Sequence, residues 1–380
     1  MYFVRFPSVE LRDTPDEAAF RAELRAWLEQ NNPGLDALPD VAAKKEWSRK
    51  IYDDGYAGLT WPKEYGGQGA SYAHQAILLE EWARSEAPGP LGVIGLGMAG
   101  PTIIVHGTDQ QKQRYLANIL SGEEIWCQGF SEPGAGSDLS SVRTRVEPRD
   151  GHFLVNGQKV WSSYAHVADF CILVGRSDPR SERHAGLTYL IVDMHAPGVE
   201  VRPLRQITGE AEFNEIFLTD VEVPGENLLG EVGGGWEVAM TTLLHERGTL
   251  GFALTGALEQ QVGKLVALAK ERAADEPLLR DRVAQAWIEL QALKYTNYRS
   301  LTTLMRTGVP GPEGSGSKLQ WSEQNQRVTK LALEILAGEH DDGYWRHQQL
   351  RSRGNTIEAG TSEILRNIIA ERVLGLPRSR

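Results

Sequence analysis

Ile125-Trp126-Cys127-Gln128-Gly129-Phe130 runs directly into Ser131-Glu132-Pro133-Gly134-Ala135-Gly136-Ser137-Asp138. Further on come Phe153-Leu154-Val155, then Asn156-Gly157, then Lys159-Val160-Trp161-Ser162-Ser163. The first run reads as a short β-strand that ends in small, polar chain. The second reads as a β-hairpin, because Asn-Gly supplies the positive φ that a two-residue turn demands. Small residues after a strand let backbone N–H groups approach a ligand closely. Ser131 and Ser137 add hydroxyls that both donate and accept, Trp161 adds a broad flat face, and Ser163 a further hydroxyl. A planar heterocycle with hydrogen-bonding edges, such as an isoalloxazine, suits that surface. A Gly- and Ser-rich surface turn beside an ordinary core Trp fits the same residues.

The rest of the chain narrows the choice. At 380 residues it is long enough for two or three domains. A hydrophobic content of 41% with 24% charged residues describes a globular protein. A net charge of −11 argues against nucleic acid as a partner, since such binders carry a basic patch or stripe. Cys127 and Cys171 both sit in apolar runs and read as reduced core residues, and no metal site is expected. The first residues are too short for a signal-peptide core. No apolar run approaches the roughly eighteen residues of a membrane span, so a cytoplasmic protein is expected.

Periodicity divides the chain into three. Thr14-Pro15-Asp16-Glu17 opens a helix, with Thr14 as N-cap and Pro15 in first position. Phe20, Leu24, Trp27 and Leu28 then recur at helical spacing. Further helices are expected over 40–54, 72–84 and from Asp109 onward. Gly95-Leu96-Gly97-Met98-Ala99-Gly100 matches the dinucleotide fingerprint, but a broken strand precedes it and no βαβ alternation follows. A small-residue helix contact is the better reading. From about 125 to 225 the period changes to two, with strands such as Phe170–Val174, Thr188–Val192 and Asn214–Leu218. After Gly233-Gly234-Gly235 helices return: one from about Trp236 towards Ala269, then near 278–306, 316–337 and 361–374. Pro310–Gly316 reads as a flexible connector. Domains are therefore placed at 1–123 (helical), 124–231 (antiparallel β) and 232–380 (helical).

The quoted motifs resemble the two flavin motifs of the acyl-CoA dehydrogenase family. Trp61-Pro62-Lys63-Glu64-Tyr65-Gly66-Gly67 and Glu358-Ala359-Gly360-Thr361-Ser362-Glu363-Ile364 resemble other family signatures, in the family's order. The resemblance implies an α+β fold: an N-terminal all-α domain, a middle antiparallel β-domain and a C-terminal four-helix bundle. It implies FAD as cofactor and an acyl-CoA thioester as substrate, oxidised to a trans-2-enoyl-CoA. Electrons would leave through an electron-transferring flavoprotein. Phe130, Ser131, Gly136, Ser137, Trp161 and Ser163 would hold the flavin, joined by Thr361 and Glu363. Ser137, Arg247 and Gly360 would contact the substrate.

Two departures from the family pattern matter. Removing a weakly acidic α-proton needs a positioned carboxylate. Most relatives carry it just before the Gly-Thr of the C-terminal signature, where this chain has Ala359, with Glu358 displaced by one. A second family location precedes an arginine on the first helix of the C-terminal domain, and His245-Glu246-Arg247 stands there. Glu246 is therefore taken as the base in preference to Glu358. The second departure concerns the adenine arm of the cofactor. Arg272-Ala273-Ala274-Asp275-Glu276 and Glu334-Ile335-Leu336-Ala337-Gly338 stand where relatives carry Arg-x-x-Phe-Gly and Gln-x-x-Gly-Gly. Similar losses mark the paired-subunit branch that works on bulky substrates such as sterol side chains. A homologous acyl-CoA dehydrogenase subunit, in a heterotetramer, is thus an expected partner, with self-association as the alternative. A non-catalytic partner subunit and an O2-using flavoenzyme of the same fold are the alternatives.

Overall fold

The structure is a computed structural model describing residues 12–248, 250–308, 311–337 and 343–378, without the side chains of 246–250. In chain order the first helices are α1 (Pro15–Asn31), α2 (Val41–Asp53), α3 (Tyr72–Ser85), α4 (Gly100–His106) and α5 (Asp109–Ser121). Seven strands follow: β1 (Trp126–Gly129), β2 (Arg145–Pro148), β3 (His152–Ser163), β4 (Phe170–Arg176), β5 (Leu187–Asp193), β6 (Val199–Leu204) and β7 (Phe213–Pro224). The chain then returns to helix: α6 (Gly235–Gly248), α7 (Leu250–Arg272), α8 (Pro277–Thr307), α9 (Gly314–Leu336), α10 (Tyr344–Ser352) and α11 (Ser362–Ile368). Helix, sheet, helix is the order that periodicity predicts.

Local chemistry sets the helix starts. Thr14 accepts from the Glu17 amide at 3.3 Å while Glu17 accepts from the Thr14 amide at 2.8 Å, a reciprocal capping box. Thr108 and Gln111 repeat the device at α5, and Asp40, Ser71 and Thr361 cap α2, α3 and α11. Helix α10 was not anticipated. Trp345 is its one buried large side chain, too little to mark a periodic face. The expected connector is partly helical as well: α9 begins at Gly314, and Ser315 and Ser317 are buried in it. Pro310 lies outside the described residues.

Two compact units form. One gathers Pro33–Ala70 and Pro88–Glu246; the other gathers the described chain up to Asn32, Ser71–Ala87 and the chain from Arg247 onward. The second is helical. Leu258, Val262, Leu265, Leu290, Leu293, Val328 and Ala332 make its core between α7, α8 and α9. Glu81 of α3, almost wholly buried, pairs with Arg21 and Arg25 of α1 and with Arg84, tying α1 to α3. Burial alone would push that carboxyl up, but the arginines hold it below the usual carboxylate range.

The first unit holds the sheet, in the order β1-β4-β2-β3-β7-β6 with β5 on the other side of β4. Most pairs are antiparallel, but β1 lies parallel to β4, with Cys127 opposite Cys171. Both thiols are free and buried.

One expected turn is not a turn. Asn156-Gly157 lies inside the continuous strand β3, at a register shift against β7. The Asn156 side chain donates to Asp220 at 2.9 Å and accepts from the Asp220 amide at 2.9 Å. That cross-strand exchange holds a bulge where the sequence favours a hairpin. The hairpin joins β2 to β3 instead, through Asp150 and Gly151 (φ +75°), closed by the Arg149 amide on His152 O at 2.8 Å. Asp-Gly is a turn signal of the same kind as Asn-Gly.

The glycine-rich run Gly95–Ala99 forms one π-helical turn that leads into α4. Gly100 is there for space: a Cβ would lie 2.1 Å from the Trp61 ring. The Trp61 indole in turn donates to Leu96 O at 3.3 Å. The resemblance to a nucleotide fingerprint is a packing contact between small residues and Trp61, as the sequence reading preferred.

Candidate active site

The two quoted runs, expected to form the ring side of a flavin site, are assembled around a buried ion pair. Lys159, with no exposed surface, donates to Glu132 Oε1 at 2.8 Å and to Phe130 O at 3.0 Å. The Glu132 carboxylate also accepts the Arg143 and Thr144 amides at 2.7 and 2.8 Å. Burial by itself would raise that carboxyl, but Lys159 and the two amides hold it below the ordinary range. Glu132 and Ala135 exchange backbone hydrogen bonds at 2.9 and 3.0 Å, turning the loop tightly. Gly136, Ser137 and Asp138 are left exposed beyond it. The Val160 amide donates to Ser131 O at 2.9 Å, so the loop after β1 and the end of β3 form one surface.

At that surface β3 bulges between Lys159 and Ser162, and Trp161 adopts a left-handed φ of +62°. This conformation costs a non-glycine residue about 1–2 kcal/mol. It leaves the indole 61% exposed, with Phe213 edge-on at 6.3 Å. Strained backbone that presents a bare indole beside small, polar chain fits a flat aromatic ligand. Ser163 is half-buried next to it. Phe130 is buried at the base, edge-on to Tyr189 at 5.8 Å.

Tyr189 joins this surface to α6. Its hydroxyl lies 3.0 Å from Thr242 Oγ1, which also meets Thr102 Oγ1 at 2.9 Å and donates to Val238 O at 3.1 Å. Burial pushes the phenol well up, so it remains protonated and neutral. At the start of α6 the Gly233 amide donates to Thr188 Oγ1 at 3.0 Å. A Cβ on Gly235 would sit 2.6 Å from the Thr188 backbone, so the last of the three glycines is required for space, and Gly233 takes a φ of +82°. Glu246 falls on this helix one turn after Thr242, followed by Arg247. Both side chains lie outside the described residues.

The C-terminal signature belongs to the helical unit. Glu358 accepts from Arg351 Nη1 and Nη2 at 3.1 and 3.0 Å and from Asn355 Nδ2 at 2.8 Å. Ala359 and Gly360 take φ of +50° and +95°, and Lys318 Nζ donates to the carbonyls of Asn355, Glu358 and Gly360 at 2.6–2.9 Å. Thr361 caps α11 and Glu363 is exposed in its first turn. Nothing in the sequence reading singled out Lys318, Glu132 or Tyr189. Lys159 and Glu132 were read only as members of their motifs.

Family models match the chain over residues 14–123 (acyl-CoA dehydrogenase, N-terminal domain), 127–221 (middle domain) and 233–374 (C-terminal domain). Acyl-CoA dehydrogenase IpdE1 of Mycobacterium tuberculosis is 42% identical, over 96% of this chain and 98% of that protein. This chain belongs to the acyl-CoA dehydrogenase family. Acyl-CoA dehydrogenase FadE34 of the same organism is 38% identical over 96% of this chain and 50% of its own length. Among solved structures, the Tcur3481-Tcur3483 steroid ACAD matches with a TM-score of 0.88, 30% identity and coverage of 97% and 100%. The ChsE4-ChsE5 complex from Mycobacterium tuberculosis matches with a TM-score of 0.87 and 29% identity, over 97% and 100% of the two chains.

As an acyl-CoA dehydrogenase the protein is an FAD-dependent oxidoreductase. The exposed Trp161 face is the observation that fits its residues to a flavin ring. Among the described residues no helix is long and apolar enough to cross a membrane. Because the Trp161 indole is exposed, its loss leaves the core intact. Trp161→Ala is expected to keep the melting temperature within a degree or two while weakening FAD binding about 10-fold or more, on the scale of aromatic stacking. Flavin retention after dialysis, read from the absorbance spectrum, is the measurement. Full retention would make Trp161 an incidental surface residue.

Proposed function

We propose that this acyl-CoA dehydrogenase oxidises a bulky acyl-CoA thioester to its trans-2-enoyl-CoA, with Glu246 as the base. The observation that carries the assignment is the state of Glu358. Two guanidinium nitrogens and an amide hold its carboxylate within the C-terminal turn, which supports a structural part for Glu358 and leaves the base to Glu246. Glu246 comes one turn after Thr242 on the helix that Tyr189 couples to Phe130, which supports this reading. In this reading Glu246 takes the α-proton, and bound flavin supplies the hydride acceptor for Cβ. Phe130, Ser131, Gly136, Ser137, Trp161 and Ser163 hold the flavin on this chain, with Thr361 and Glu363 as further contacts. Ser137, Arg247 and Gly360 hold the CoA portion. Electrons leave to an electron-transferring flavoprotein.

A bulky substrate and a paired assembly are supported by the steroid ACAD and the ChsE4-ChsE5 complex among the related structures. The adenine-side residues support pairing too. Arg272 is bonded to Glu271 at 2.9 Å, Asp275 and Glu276 are exposed, and Glu334 pairs with Arg282. Acidic groups near a pyrophosphate repel it, and a two-fold interface would present that surface to its own cofactor. A homologous chain is therefore proposed to supply the adenine-side contacts.

The test is to purify the chain alone and co-expressed with a homologous acyl-CoA dehydrogenase chain from the same source. Flavin is then counted, and bleaching by steroid-ring acyl-CoA thioesters is followed without oxygen. The mixed complex is expected to hold one FAD per two chains and to bleach, while the chain alone holds little flavin. One FAD per chain with full turnover in the pure homo-oligomer would overturn the pairing and leave the activity standing.

A further inference from the structure

Past Lys159, β3 carries one residue more than the strand it pairs with. Lys159 lies opposite Ile216, but Ser162 lies opposite Asn214. Two residues, Val160 and Trp161, therefore stand across from one, Glu215, and the surplus is absorbed as the bulge that holds Trp161 at positive φ. The bonds on either side decide which residue takes the unfavourable conformation. Before Trp161, the Val160 amide is committed to Ser131 O at 2.9 Å. After it, the Ser162 carbonyl is held by a side chain: Asn214 Nδ2 donates to it at 3.0 Å.

Asn214 has no exposed surface. Its Nδ2 also lies 3.1 Å from Glu212 O and 3.1 Å from His166 Nδ1. Two carbonyls at that range require the donor nitrogen there and not the amide oxygen, which fixes the orientation of the side chain. One buried amide thus ties the end of β3 to the chain just before β7 and to the turn Ala165–Val167. Its Oδ1 is buried without a hydrogen-bond partner among the described residues, as is Ser162 Oγ on the residue opposite. An unpaired buried acceptor costs stability, so asparagine is a poor choice here for stability alone. What it supplies is a grip on the carbonyl that follows Trp161.

That grip matters for the direction of the indole. A tryptophan has no local reason to sit at a φ of +62°, and released from its neighbours it returns to the extended region. Its Cβ then leaves the backbone in another direction. We propose that Asn214 is a positioning residue for the cofactor: it holds the Ser162 carbonyl so that Trp161 stays left-handed and presents its indole to the flavin. Being wholly buried, Asn214 acts through Trp161. The proposal rests on reading Trp161 as a flavin contact.

The test is a double-variant cycle on FAD binding to the purified complex. Asn214→Ala is expected to weaken FAD binding about 10-fold when Trp161 is present, matching the loss in Trp161→Ala. With Trp161 already alanine, the same change should cost less than about two-fold, because the two residues act on one contact. Hydrogen exchange in the peptide spanning 160–163 should quicken in Asn214→Ala, while peptides from β4 and β5 keep their rates. Equal weakening with and without Trp161 would make Asn214 merely structural and overturn the proposal. Asn214→Leu, of similar bulk and without polar atoms, repeats the cycle if the alanine protein does not fold, and failure of both to fold would overturn it too. A loss in Trp161→Ala with none in Asn214→Ala would refute the positioning and leave the flavin contact standing. Full FAD retention by Trp161→Ala would remove the contact itself, and the positioning role with it.

Discussion

Glu246→Gln is expected to lower kcat by about 10²–10⁴-fold, the contribution typical of a positioned general base. The fold and the flavin content should not change, because the substitution preserves shape and removes only the proton acceptor. The comparison that gives this meaning is Glu358→Gln. Glu358 is engaged by Arg351 and Asn355 in the turn that Lys318 holds from beneath. Neutralising it should cost stability, seen as a lower melting temperature, and should spare the chemical step. Single-turnover bleaching of the flavin separates the two, since it reads α-proton and hydride loss without product release. A dead Glu358→Gln beside an active Glu246→Gln would reverse the assignment.

The second large effect is expected at Lys159. Lys159→Met strands the Glu132 carboxylate in the interior, and an unpaired buried charge costs about 3–5 kcal/mol. The loss should extend beyond stability, because Lys159 also holds Phe130 O and Glu132 holds the amides of Arg143 and Thr144. Flavin affinity should fall with it. The double variant Lys159→Met, Glu132→Gln should be less damaged than the single one, since no buried charge is left without a partner. Denaturant melts of all three forms check this order, and a double variant worse than Lys159→Met would refute the pairing account.

The same pair predicts a pH dependence with a definite sign. The Glu132 carboxyl is lowered in the folded protein. Its contribution to stability is therefore present above the unfolded carboxylate value of about 4.5 and is lost as pH falls through the folded value. Glu81 titrates in the same direction. Glu132→Gln should flatten that part of the acid limb and leave the Glu81 part.

Much of this was legible in the residues because it is local. Thr14 with Glu17, Asp40 and Thr361 mark helix starts through bonds that span three residues. The change of period from helix to strand follows from which faces are buried. The ring-side motif was readable because small, polar residues after a strand have few structural reasons to be there. Motif order carried the family.

What the chain decided only by folding involves residues far apart in sequence. Asn156-Gly157 bulges instead of turning because Asp220 comes to lie across from it. Trp161 is a presented face and not a core side chain because a bulge in β3 holds it at positive φ. Tyr189 matters only because β5 stands between Phe130 and Thr242. In each case a long-range partner supplied an interaction worth more than the local preference it overrode, and no pattern along the chain names that partner.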